Sequence, residues 1–165
     1  MLLDALNILR KNIKNFKFIF IGRGGKHFEE LKQRVTELNL WDHIIFPGYH
    51  NERYVDLLNL LDVKIFLVPG YDGSCRAVME AMSMAKPVIS SKRGILPELV
   101  TDKYNGFVCD ENADVFAEYM LKLYKNRNLS AYMGQKSREK ILSEHTLDNQ
   151  FKQILKIYED LMRGK

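Results

Sequence analysis

Cysteine is scarce. Cys75 and Cys109 are the only two in the chain, far apart and without metal-ligand spacing, which excludes a disulfide scaffold and points to a reduced, cytoplasmic protein. Proline is scarce too, at 4 residues, and no Pro/Gly/Ser-rich or repetitive stretch interrupts the sequence, so no linker or internal domain boundary is expected. No apolar run approaches the ~18 residues of a membrane-spanning helix. The opening Met1-Leu2-Leu3-Asp4-Ala5 has an acid where a secretion signal needs a basic flank. Charge of one sign is also in short supply: 25 basic against 21 acidic residues leave +4. Lys11, Lys14 and Lys17, like Lys136, Arg138 and Lys140, read as solvated helix faces. With no aromatic-interleaved basic stripe beside them, a nucleic-acid partner is not expected.

What is present is ordinary globular composition, 46% hydrophobic over 165 residues, enough for one domain with a sizeable core. Short apolar runs alternate with helical periodicity. Phe16 to Ile21, Ile44 to Phe46, Val63 to Val68, Val88-Ile89 and Phe107-Val108 lack strict polar alternation, as strands covered on both faces require. Between them, Phe28, Leu31, Val35 and Leu38 share a helical face, as do Tyr54, Leu57, Leu58 and Leu61. Strand and helix in turn make βαβ units, whose right-handed crossovers build a parallel sheet with helices on both sides. About six strands in one sheet are expected. Helical faces at Val115 to Leu123 and Leu147 to Tyr158, the latter capped by Thr146, predict a helical tail folded back on the sheet. The chain opens on a helical segment, Leu2 to Ile13, where a parallel domain would first supply a strand.

Ligands of open parallel sheets sit beyond the carboxyl ends of the strands, and three such ends stand out. Gly22-Arg23-Gly24-Gly25 lets the backbone turn sharply and approach a ligand, although a plain βα turn explains it equally. Gly48 frees the backbone beside Tyr49 and His50, on which a base could stack, and Pro47-Gly48 is also ordinary turn chemistry. The third runs from Val68 through Asp72, Gly73, Ser74, Cys75 and Arg76 into a helix that is apolar almost all round. Glu80 is its one acid. A buried carboxylate needs a partner, and an i, i+4 pair with Arg76 is worth only ~0.3 kcal/mol. Glu80 is therefore expected to be largely buried and to accept hydrogen bonds from a ligand's vicinal hydroxyls, with Asp72 a second acceptor. The amides opening that helix suit a diphosphate.

Asp72-x7-Glu80, continued as Glu80-Ala81-Met82-x-x-Ala85-Lys86-Pro87-Val88-Ile89, resembles the E-x7-E signature and EAMxxGxPVI run of the GT-B-fold retaining glycosyltransferases of group 1, or family 4, type. Gly22-Arg23-Gly24, Phe46-Pro47-Gly48-Tyr49, Leu61-Asp62-Val63, Gly94 to Val100, Asn105 to Val108 and His145-Thr146-Leu147-Asp148 resemble that family's further motifs in order, so the likeness spans the chain. It implies an α/β fold, a Rossmann-like parallel sheet between helices with a helical C-terminal tail, forming the donor-binding C-terminal half of a two-domain enzyme over residues 1–165. An upstream first strand, carrying the family's phosphate-binding Arg and Lys, and an N-terminal acceptor-binding domain would lie outside it, in cis or in trans.

The resemblance further implies a UDP- or GDP-linked sugar as substrate, with no cofactor and no metal. Glu80 would bind the ribose hydroxyls and Asp72 would face the donor sugar, the two carrying the catalytic signature. Gly22, Arg23, Gly24, Gly48, Tyr49, His50, Gly73, Ser74, Cys75 and Arg76 would complete the donor site. The sequence departs from the family at Asp72, one methylene shorter than Glu, and at Cys75 and Ala85, where glycine is customary; the last reads as mild. The expected setting is cytoplasmic, with at most peripheral contact at the inner face of the membrane. A non-catalytic nucleotide-sugar binding subunit and a GT-B-type sugar-nucleotide epimerase are the competing functions.

Overall fold

The computed structural model describes residues 1–49, 52–67 and 75–164. In chain order the elements are α1 (Leu2–Asn12), β1 (Phe18–Ile21), α2 (Phe28–Glu37), a 3-10 turn (Trp41–His43), β2 (Ile44–Gly48), α3 (Tyr54–Leu60) and β3 (Lys64–Phe66). Then follow α4 (Arg76–Ser83), β4 (Val88–Ser91), α5 (Leu96–Leu99), β5 (Gly106–Cys109), α6 (Ala113–Lys125), α7 (Arg127–Glu144) and α8 (Leu147–Met162). Every strand pairing is parallel, in the register Phe18↔Ile44, Lys64↔Val88 and Val88↔Gly106.

Successive residues on a strand face opposite ways, and β4 shows it. Ile89 joins a core made with Leu6, Leu9, Phe107, Phe116 and Leu123 of α1, β5 and α6. Val88 joins the opposite core, with Val78 and Met82 of α4, Leu96, Leu99 and Ile141 of α7. Helices thus cover both faces, which explains why the strands lack alternation.

Three expectations are corrected. The described strands number five rather than about six, and they form two separate ladders, β1-β2 and β3-β4-β5. An apolar cavity of about 270 Å³ lies between them, lined by Phe18, Ile19 and Ile21 of β1, by Lys64 and Ile65 of β3, and by Leu6 and Leu9 of α1. Among the described residues no strand pairs with the edges of β1 and β3 that face this cavity. The tail, too, divides. α6 packs into the core as expected and α7, which apolar periodicity does not single out, packs against α4, whereas α8 buries no residue and leaves Leu147, Phe151, Tyr158 and Leu161 exposed. Its Thr146 cap is as read, the hydroxyl accepting from the Asn149 amide at 3.2 Å. The third correction concerns Ala85, which adopts φ 56 in the left-handed region, where a Cβ costs roughly 1–2 kcal/mol. There it closes α4, the Ala85 amide donating to the Met82 carbonyl and the Lys86 amide to that of Ala81, the paired bonds of a helix end that usually takes glycine.

Candidate functional site

The carboxyl ends of β1 and β2 come together through their glycines. The Gly22 amide donates to the Gly48 carbonyl at 3.1 Å, with φ 144 at Gly22 and 85 at Gly48, values open to glycine and strained for other residues. The approach sets the Arg23 guanidinium over the Tyr49 ring, 4.6 Å from its centroid. Both side chains are exposed, so the pair forms a flat cationic-aromatic surface at the strand ends. Gly24 packs against Phe28 at the start of α2, where a Cβ would come within 2.8 Å of the ring.

β3 leads to the start of α4. Cys75 precedes that helix in the left-handed region, φ 43 and ψ 41, with its side chain buried, and Arg76 opens it, exposed to solvent. Val78, Ala81 and Met82 turn into the core. Glu80 does not: it is exposed, which corrects the expectation that it is buried. The apolar residues of α4 cover only its inner stripe, and position 80 falls on the side toward α3. There the Tyr54 hydroxyl donates to Glu80 Oε2 at 2.8 Å. Among the described residues no ion pair joins Glu80 to Arg76, so the helical pair is not the partner. Exposure removes the desolvation penalty that had seemed to demand one.

Two further groups are perturbed here. Burial, with the adjacent Glu80 charge, pushes the Tyr54 phenol up to about 12. Burial lowers the pKa of Lys64 on β3, with the Glu80 charge acting the other way. Neither residue stood out in the sequence: Tyr54 reads as one more apolar position on α3, and Lys64 as an interruption of a strand. His50, Asp72, Gly73 and Ser74 lie outside the described residues. Of the other predicted positions, Gly22, Arg23, Gly48 and Tyr49 are gathered at one pair of strand ends, and Glu80 with Cys75 and Arg76 on the next helix. α3, which begins shortly after Tyr49, joins the two groups through Tyr54.

A parallel α/β domain of Rossmann type, with glycine-rich turns and a helix start gathered at its strand ends, is the class so defined. The chain belongs to the glycosyl transferases group 1 family, whose profile matches residues 1–140. It is 25% identical over 148 residues to the N-acetyl-alpha-D-glucosaminyl L-malate synthase of Bacillus anthracis, covering 89% of this chain and 38% of that one. Its fold is that of an Anabaena protein, HepE, solved with UDP and glucose, at TM-score 0.85 and 21% identity over 96% of this chain and 43% of that one. It also matches the C-terminal domain of a glycosyl transferase group 1 family protein from Francisella tularensis, at TM-score 0.78 and 21% identity over 88% of this chain and 77% of that one. The chain thus spans less than half the length of that curated relative and of the Anabaena chain. Among the described residues, no helix is long and apolar enough to cross a membrane.

Proposed function

We propose that these 165 residues are the nucleotide-sugar-binding half of a retaining glycosyltransferase. Glu80 takes the ribose hydroxyls, Asp72 faces the donor sugar, and the amides of Ser74, Cys75 and Arg76 at the start of α4 receive the diphosphate. The observation that carries the reading is the exposed Glu80 carboxylate, held on α4 by the Tyr54 hydroxyl eight positions after Asp72 in the sequence. Gly48, Tyr49 and Arg23 lie on the side for the base. In the reaction, an acceptor hydroxyl attacks the anomeric carbon while the nucleoside diphosphate leaves. Positive charge and helix amides then stabilise the negative charge that builds on the leaving group.

The acceptor site belongs to a second domain, and one strand of the sheet comes from outside these residues. The open edges of β1 and β3 and the uncovered apolar face of α8 support both statements. The test is calorimetric titration of Glu80→Gln with UDP and GDP. Loss of one charge-assisted hydrogen bond lowers affinity about tenfold to a hundredfold at unchanged thermal stability. Parent-like affinity in the variant would remove Glu80 from the site. Product anomeric configuration, determined on the enzyme joined to its acceptor domain, tests retention.

A further inference from the structure

Glu80 is held from a neighbouring helix. Tyr54 opens α3, and its Oη donates to Glu80 Oε2 at 2.8 Å, while Oε1 receives no hydrogen bond from any described residue. The two helices are tied again toward their other ends, where Lys86 Nζ, just past α4, donates to the Asn59 carbonyl at 2.9 Å. α3 therefore cannot slide along α4 without losing both bonds. Tyr54 is half-buried and Glu80 exposed; the phenol is the anchored partner, and the carboxylate is the one that would otherwise rotate.

We propose that Tyr54 is a positioning residue, fixing Glu80 through Oε2 so that Oε1 is presented to the vicinal ribose hydroxyls of a nucleoside diphosphate. The inference rests on the assignment of Glu80 to the ribose made above. An exposed glutamate occupies several rotamers and loses that freedom when it binds. A hydrogen bond already made in the free protein removes part of the loss beforehand, and a phenol donating to a carboxylate is of the stronger, charge-assisted kind. The residue does not touch the ligand. It acts only through Glu80, and its removal should be felt only by ligands that Glu80 itself feels.

That restriction supplies the experiment. The parent, Tyr54→Phe, Glu80→Gln and the double variant are titrated by NMR with UDP and with 2′,3′-dideoxy-UDP, and each is melted. Phenylalanine keeps the ring and its packing and removes only the hydroxyl. The expected result is that Tyr54→Phe weakens UDP by about three- to tenfold, leaves the dideoxy analogue unchanged, and adds nothing further in the Glu80→Gln background. Equal weakening toward both ligands, or none toward either, overturns the proposal. So does tighter UDP binding by Tyr54→Phe, which would mean that the phenol occupies the hydroxyl's place. If Glu80→Gln fails to discriminate UDP from its analogue, or the parent binds no UDP at millimolar concentration, the ribose assignment itself fails and this inference with it.

Discussion

Gly134 on α7 is seated against the carbonyl of Ala85: a Cβ at position 134 would lie 2.0 Å from that oxygen. The contact joins the longest helix of the tail to the turn that closes α4, the helix carrying Glu80. Backbone cannot yield as a flexible side chain does. Gly134→Ala is expected to push α7 off α4 and to destabilise the domain by ~1–3 kcal/mol, the usual range for overpacking. Urea denaturation measures it, and a midpoint equal to the parent's would show that the helices are free to separate.

On the other side of the same contact, Ala85 holds a left-handed conformation, φ 56. Replacing it by glycine removes a steric penalty of roughly 1–2 kcal/mol and returns about 0.5–1 kcal/mol in backbone entropy of the unfolded chain. Ala85→Gly should therefore stabilise by about 0.5–1 kcal/mol, seen as a higher urea midpoint at unchanged slope. A lower midpoint would mean that the Ala85 methyl makes packing contacts worth more than the strain. Because the two positions touch, the effects of Ala85→Gly and Gly134→Ala should not add.

Alkaline stability has a distinct signature. Burial, with Asp110 and Asp102 nearby, pushes the Cys109 thiol up to about 11 from 9.0, and its Sγ lies 3.7 Å from the Ser90 carbonyl as a donor. The folded protein keeps this proton where the unfolded chain releases it. The contribution is thus fully present below about pH 9 and is lost as pH rises to about 11. Tyr54, pushed up to about 12 from 10.0, extends the decline from about pH 10 to 12 by the same sign. Lys64, lowered by burial, runs the other way, adding stability as pH rises toward 10.5. Urea midpoints across pH 8 to 11 should fall less steeply for Cys109→Ala than for the parent. Identical slopes would show that the thiol titrates normally in the fold.

The parallel ladders were legible because both faces of the sheet are covered, and continuous apolar runs report that directly. α7 was not. Its buried residues include Ser130, Gly134 and Ser137 beside Met133 and Ile141, and its tight approach to α4 and β5 uses small and hydroxylated side chains that a search for apolar periodicity passes over. Ser137 illustrates the point, donating to the Asn105 carbonyl at 2.8 Å in the interior. The position of Glu80 was legible, its burial was not: counting apolar residues around a helix says how many faces could be covered, and only the tertiary fold says which are. Tyr54 was hidden for a related reason. A tyrosine on an apolar stripe has a polar tip whose partner, Glu80, lies 26 positions further along the chain.

The last prediction concerns the gap between β1 and β3. Two parallel edges face one apolar cavity, and Leu6 and Leu9 of α1, the helix that leads into β1, line it. A right-handed βαβ unit would place a strand leading into α1 beside β1, inside this gap, where it would pair on both sides. Fusing a five-residue Val/Ile strand and a short turn ahead of Met1 should therefore slow amide exchange on the free edges of both β1 and β3. It should also raise Tm by ~2–4 °C for each kcal/mol gained. A matched fusion with proline at the centre of the strand cannot donate to the ladder and should do neither. Protection that appears without the fusion and grows with protein concentration would mean that a second copy fills the gap instead. The fused strand completes only the sheet, so both forms should bind UDP nearer the millimolar than the micromolar end, ~4–6 kcal/mol. Neither should transfer sugar, since one wall of a cleft cannot exclude water from the reaction. Turnover by the 165-residue chain alone, followed as nucleotide release and product mass, would place an acceptor site on this domain and overturn the half-enzyme reading.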